Sequence, residues 1–126
     1  MSLKILSLGV ALAAATAAPA FAGCAQGNLA GSWTLRASTG TACAIVADRK
    51  GTISRSSCSY KGYRGTLSGK LTLAKSCDVS GTLTLKYPGQ TEKLSVRGRM
   101  DGAKSKISGS GSGPLTGRFT FTAVKG

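Results

Sequence analysis

The residues that could do chemistry in this chain are few, and the most versatile one is missing: there is no histidine. Histidine is the usual general base near neutral pH and the usual activator of a nucleophile. Four carboxylates remain, Asp48, Asp78, Glu92 and Asp101. Asp48 opens Asp48-Arg49-Lys50-Gly51 and Asp101 precedes Gly102, so turn formation accounts for both. Asp78 follows a cysteine at a strand start. No spacing holds two carboxylates across a cleft, as glycoside hydrolysis requires. A Ser–Lys dyad cannot be picked out of a chain rich in both, and no glycine-rich phosphate loop opens a helix. The expectation is a protein that is not an enzyme and uses no cofactor.

The cations are the more informative chemistry. Seventeen Lys and Arg face four acids. In the polar register of the last three expected strands stand Arg97, Arg99, Lys104, Lys106 and Arg118, with Lys93 extending the row. Neighbouring strands would gather these charges into one stripe interleaved with Ser and Thr. A second cluster places Lys61 and Arg64 beside Tyr60 and Tyr63 in the polar segment Ser59–Gly65, read as a loop. Cations next to aromatic rings suit single-stranded nucleic acid or glycans. The plainer reading is that Lys and Arg solvate strand exteriors and blunt edges.

The leader sets the compartment. Met1–Lys4 is a short charged n-region, Ile5–Ala15 an apolar h-region, and Ala20-Phe21-Ala22 a small-residue cleavage site. Residues 1–22 therefore read as a signal peptide, and the remaining 104 of the 126 residues as one domain, 23–126. Without Lys4, 16 cations oppose four acids, a net charge of +12 that draws the domain to anionic surfaces. Phe21-Ala22-Gly23-Cys24 also resembles a bacterial lipobox, which makes a lipoprotein anchored through Cys24 the alternative to a free exported form. The expected location is periplasmic or extracellular.

The elements that position these residues are strands. An apolar, polar, Gly, polar, apolar pattern recurs in Leu67-Ser68-Gly69-Lys70-Leu71, Val79-Ser80-Gly81-Thr82-Leu83, Val96-Arg97-Gly98-Arg99-Met100 and Leu115-Thr116-Gly117-Arg118-Phe119. A two-residue period gives each strand one buried face, and the recurring glycine on that face predicts a sheet that curls. Eight strands are expected: 32–38, 43–47, 52–58, 66–74, 78–87, 92–100, 104–109 and 115–124. Pro88-Gly89 and Asp101-Gly102 signal tight turns. The tract from Ser108 to Gly113, SGSGSG, is expected to be a loop within the domain. Short, evenly spaced strands predict an all-β antiparallel up-and-down meander closed into a small barrel, with a two-sheet sandwich as the alternative.

Gly31-Ser32-Trp33 on the first strand resembles the Gly-x-Trp signature of calycin barrels, the group of lipocalins and avidins. That resemblance implies an eight-stranded up-and-down barrel with the Trp across one end and, in many members, a small ligand inside. It carries no ligand residues onto this chain.

Four cysteines in an exported chain imply two disulfides, with three connectivities open. No CxxC pair and no His accompany them, so no metal site is expected. In a meander Cys24 and Cys77 fall at one end of the barrel, Cys43 and Cys58 at the other. Only Cys24–Cys77 and Cys43–Cys58 then join neighbours.

Three function classes follow. The first is an exported, bacterial-type, non-catalytic module whose basic face binds anionic polymer or a membrane surface: lipopolysaccharide, acidic polysaccharide or nucleic acid. The second is a calycin-like carrier of a small apolar ligand. The third is an inhibitor of a secreted hydrolase acting through a braced loop such as Ser59–Gly65.

Overall fold

In the computed structural model, which describes residues 23–126, every alternating segment is a strand. The signal-peptide reading of residues 1–22 lies outside the described residues. A short 3-10 helix, Gln26–Leu29, leads into β1 (Gly31–Ala37), β2 (Ala42–Ala47), β3 (Ile53–Tyr60) and β4 (Tyr63–Leu73). Then follow β5 (Asp78–Tyr87), β6 (Gln90–Met100), β7 (Lys106–Gly113) and β8 (Gly117–Lys125). Each strand pairs antiparallel with the next and β8 returns to β1, so the meander closes into an eight-stranded barrel rather than a sandwich. Closure leaves no sheet edge at its ends.

Inward positions carry Trp33, Ile45, Leu67, Leu71, Val79, Leu83, Leu94, Val96, Ile107 and Phe119, all buried. Glycines take the inward positions where walls come closest. Gly98 and Gly109 face each other across β6–β7, and a Cβ on Gly98 would lie 2.6 Å from the Ser108 carbonyl. No side chain fits there, and the wall can curl tightly. The interior is filled: the voids left are about 60 Å³ and 30 Å³.

One end is capped by the helix. Trp33 is 3 % exposed and donates its indole N–H to the Leu29 carbonyl at 2.9 Å. Lys125 Nζ lies 5.1 Å from the centre of the Trp33 ring and donates to the Asn28 carbonyl. The disulfides are Cys24–Cys77 at this capped end and Cys43–Cys58, a cross-strand pair of β2 and β3. Two disulfides suggest an oxidising, extracytoplasmic environment. The first bond also occupies the sulfur that lipidation of Cys24 would need.

Four local readings change. The segment Ser59–Gly65 is not a loop: β3 and β4 run to Tyr60 and Tyr63 and close through the two-residue turn Lys61-Gly62. Both turn residues have positive φ, +46° and +85°, as a primed hairpin turn requires. The Ser-Gly tract is not a loop either, since β7 runs through it with Ser108, Ser110 and Ser112 outward. Its inward glycines are a packing requirement: a Cβ on Gly111 would sit 2.6 Å from Phe119 Cζ, and one on Gly113 would meet the Glu92 carboxylate. Lys104 precedes β7, in the β6–β7 loop with φ +60°, because Asp101 Oδ1 accepts from Ser105 N and Lys106 N and pins the loop there. Leu115 is 63 % exposed in the turn before β8, so the last copy of the glycine pattern begins in a turn.

The β3–β4 seam differs from the rest of the barrel. Only three residue pairs join these strands directly, Cys58–Gly65, Ser59–Arg64 and Tyr60–Tyr63. Beyond them the backbones meet again only where Thr52 bridges Lys70 and Leu71 N donates to the Gly51 carbonyl at 2.9 Å, and side chains carry the rest of the hydrogen bonding. Ser56 Oγ both donates to the Leu67 carbonyl and accepts from Leu67 N, each at 2.7 Å. Gln26, from the helix, presents its amide to the β4 edge as a strand residue would. Its Nε2 donates to the Leu71 carbonyl and its Oε1 accepts from Leu73 N, both at 2.8 Å.

Candidate anion-binding face

The outer face of β5–β8 is built by the same alternation that fills the core. With Val96, Gly98 and Met100 inward, Arg97 and Arg99 must point out from β6. Cross-strand register sets what stands beside them. One row runs Thr82, Ser95, Ser112, Arg118; the next runs Ser80, Arg97, Ser110, Thr120; a third runs Asp78, Arg99, Ser108, Thr122, Arg36. The β7 residues between the cations are short serines, so the face dips along that strand. Three shallow concavities result, of about 760, 580 and 860 Å³. The first two share Arg97 and Ser110, and the second and third share Arg99 and Ser108. They form one trough. Arg118 lines one end, Arg97 and Arg99 the middle, and Lys104, Lys106 and Lys75 the other end.

Five of the six cations read from sequence as a stripe therefore line this trough, but they flank it instead of forming one line. Lys93 lies on the same outward face of β6, opposite Thr84, past the trough's end. Arg99 is the member whose charge is shared: its Nη1 lies 3.0 Å from Asp78 Oδ1, the one ion pair among the described residues. With both side chains more than 60 % exposed, that pair holds weakly and can exchange partners.

The aromatic cluster stands apart. Tyr60, Lys61, Tyr63 and Arg64 lie at the tip of the β3–β4 hairpin and none of them lines the trough. Lys61 Nζ sits 5.3 Å from the Tyr60 ring centre, which in turn packs at 6.4 Å against Tyr87. Tyr63 is 62 % exposed. Beneath this end the Tyr87 hydroxyl is enclosed without a partner in hydrogen-bonding geometry. Burial pushes its pKa up, and the nearby Thr41 hydroxyl offsets part of that.

All four carboxylates have local structural work. Asp48 accepts from Lys50 N and Thr52 N, and these backbone bonds, that of Thr52 first, hold its carboxyl below the usual range. Asp101 is lowered the same way, chiefly by Ser105 N. Asp78 pairs with Arg99 and accepts from Ser76 Oγ. Glu92 is 7 % exposed and faces inward at the open end. It accepts from Thr116 Oγ1, Thr116 N and Leu115 N at 2.6–2.7 Å. Burial pushes its pKa up, but the three bonds together outweigh that and leave it below the ordinary value. Its role as a clamp on the β7–β8 turn was not visible in sequence, where it is one polar residue at a strand start.

Serines were expected among the cations, but the run of the row through Ser110 and Ser112 was missed. Its signal was the period of two in SGSGSG, hidden by a composition typical of linkers.

The class this fold defines is a small, disulfide-braced, eight-stranded up-and-down barrel, a topology consistent with the calycins. Compared with protein-family models, curated proteins and solved structures, the chain matches none.

Proposed function

We propose that this barrel is a non-catalytic, exported binding module that holds anionic polymer along the outer face of β5–β8. The observation that carries this reading is the continuity of the trough: neighbouring concavities share Arg97 and Arg99, and further cations line both ends. A net charge of +12 on the domain after leader removal supplies long-range attraction. The interior supports the outer wall as the working surface. Voids of about 60 and 30 Å³ fall well short of the roughly 300–1,000 Å³ of ordinary ligand pockets. Nor does Ser59–Gly65 project as an inhibitory loop would, since it is a tight hairpin. With its carboxylates engaged in turns, a clamp and an ion pair, the barrel has no group poised for acid–base work among them.

Retention on immobilised heparin tests the reading. Reversing Arg97, Lys106 and Arg118 to Glu should remove most retention. Reversing Arg49, Lys50 and Arg55, on the β2–β3 side of the barrel, changes net charge equally and should weaken it far less. Equal losses from the two triples would show that total charge alone matters.

A further inference from the structure

The trough's chemistry narrows the polymer. Resting on the reading above, we propose that its ligand is a single linear acidic polysaccharide, bearing carboxylate or sulfate groups, rather than a nucleic acid. Three features converge on this. No outward side chain of β5–β8 is aromatic, because Tyr87, Phe119 and Phe121 all fall in the inward register. Single-stranded nucleic acids draw much of their affinity from stacking on such rings, and the one ring that lines the trough, Phe119, is only 9 % exposed.

Width is the second feature. The floor strand β7 separates Arg97 on β6 from Arg118 and Thr120 on β8, a gap of two strand spacings or about 10 Å. That admits one chain, not a duplex lying in the trough. From Ser112 to Lys106 the floor runs about 20 Å, the scale of a short oligosaccharide.

The third feature is the floor itself. Ser95, Ser108, Ser110 and Ser112 are exposed and make no side-chain hydrogen bond to other described residues. A hydroxyl can donate and accept, which matches the hydroxyls and ring oxygens of a sugar chain. The guanidinium groups of Arg97, Arg99 and Arg118 present the planar forks that suit carboxylate and sulfate. Cations at the sides and ends, with neutral hydroxyls beneath, are thus the complement of a polyhydroxyl chain carrying anions.

Calorimetry at fixed salt would compare four probes: a sulfated heparin oligosaccharide, an oligogalacturonate, oligo(dT) of matched charge, and vesicles containing anionic phospholipid. The expected result is binding of at least one acidic oligosaccharide about ten-fold or more tighter than oligo(dT) or vesicles, since a purely electrostatic surface would discriminate little. Replacing Ser108, Ser110 and Ser112 together by Ala should weaken that binding about ten-fold while leaving its salt dependence unchanged. The Ser→Thr triple, which keeps the hydroxyls, should bind within about three-fold of wild type. Oligo(dT) or vesicles binding as tightly as both oligosaccharides, or an Ala triple that binds like wild type, would overturn the polysaccharide assignment and leave an anion-binding face. Failure of all four probes would overturn the face as well.

Discussion

The two sides of this barrel are held together differently. From β5 to β8 the wall is a continuous backbone ladder, with ten residue pairs between β5 and β6 and eight between β7 and β8. Its outward side chains have little structural duty: Asp78 pairs with Arg99 and accepts from Ser76 Oγ, and Thr120 N donates to the Ser38 hydroxyl of the β1–β2 turn. At the β3–β4 seam the ladder is interrupted after three pairs and resumes only at the Thr52–Lys70 bridge, and Gln26 and Ser56 stand in for the missing strand contacts. Where the backbone satisfies itself, side chains are available for a partner. Where it does not, side chains are committed to the fold.

That contrast predicts where substitutions will hurt. The largest loss should follow removal of the Cys24–Cys77 bond, which anchors the segment that patches the seam. The bond joins residues 53 apart, and constraining the unfolded chain over that length corresponds to about 4 kcal/mol. Cys43–Cys58, with a separation of 15, should be worth about 3 kcal/mol. Urea unfolding of the two Cys→Ala pairs measures the order, and a reversed order would mean that the seam is not the weak point.

Gln26→Ala should come next. It leaves the Leu71 carbonyl and Leu73 N without partners at a partly buried edge, a cost of about 2–3 kcal/mol. Hydrogen exchange at Leu73 should accelerate while the amides of β6 stay protected. Uniform acceleration around the barrel would show that the seam does not open by itself.

Glu92 braces the fold from the β5–β8 side as a buried carboxylate, and its contribution should depend on pH. Its folded pKa is depressed, so its stabilisation is fully present above the unfolded carboxyl value of about 4.3. It is lost as pH falls through the lower folded value. Glu92→Gln should therefore cost about 2 kcal/mol near neutral pH, with the gap from wild type narrowing in acid. A gap that stayed constant down to pH 2 would assign the effect to shape rather than charge.

The smallest effects belong to the trough. Ser110→Ala and Arg97→Glu should each shift stability by no more than about 0.5 kcal/mol in thermal melts. A loss above 2 kcal/mol at either position would erase the distinction between the two sides.

Much of this architecture is written locally. A period of two with apolar residues at 67, 71, 79, 83, 94 and 96 specifies strands with one buried face, and an up-and-down order follows from short links. The same order brings Cys24 to Cys77 and Cys43 to Cys58, and it turns Arg97, Arg99, Lys106 and Arg118 outward. Turn chemistry was legible at Pro88-Gly89, where Gly89 has φ +77°, but not at Lys61-Gly62. There a lysine takes the positive φ that sequence usually reserves for Gly or Asn. Composition misled at the Ser-Gly tract, because glycine is scored as flexible wherever it occurs. Only the packed barrel shows that those glycines face Phe119 and Glu92, where nothing larger fits. The trough has the same origin. Each cation's outward direction is a property of its own strand, but the gap between Arg97 and Arg118, and the serines lining it, depend on register between strands distant in sequence. The Gln26 patch likewise exists only because closing the barrel leaves the β3–β4 ladder interrupted, a shortfall set by the closure of all eight strands together and by no local stretch of sequence.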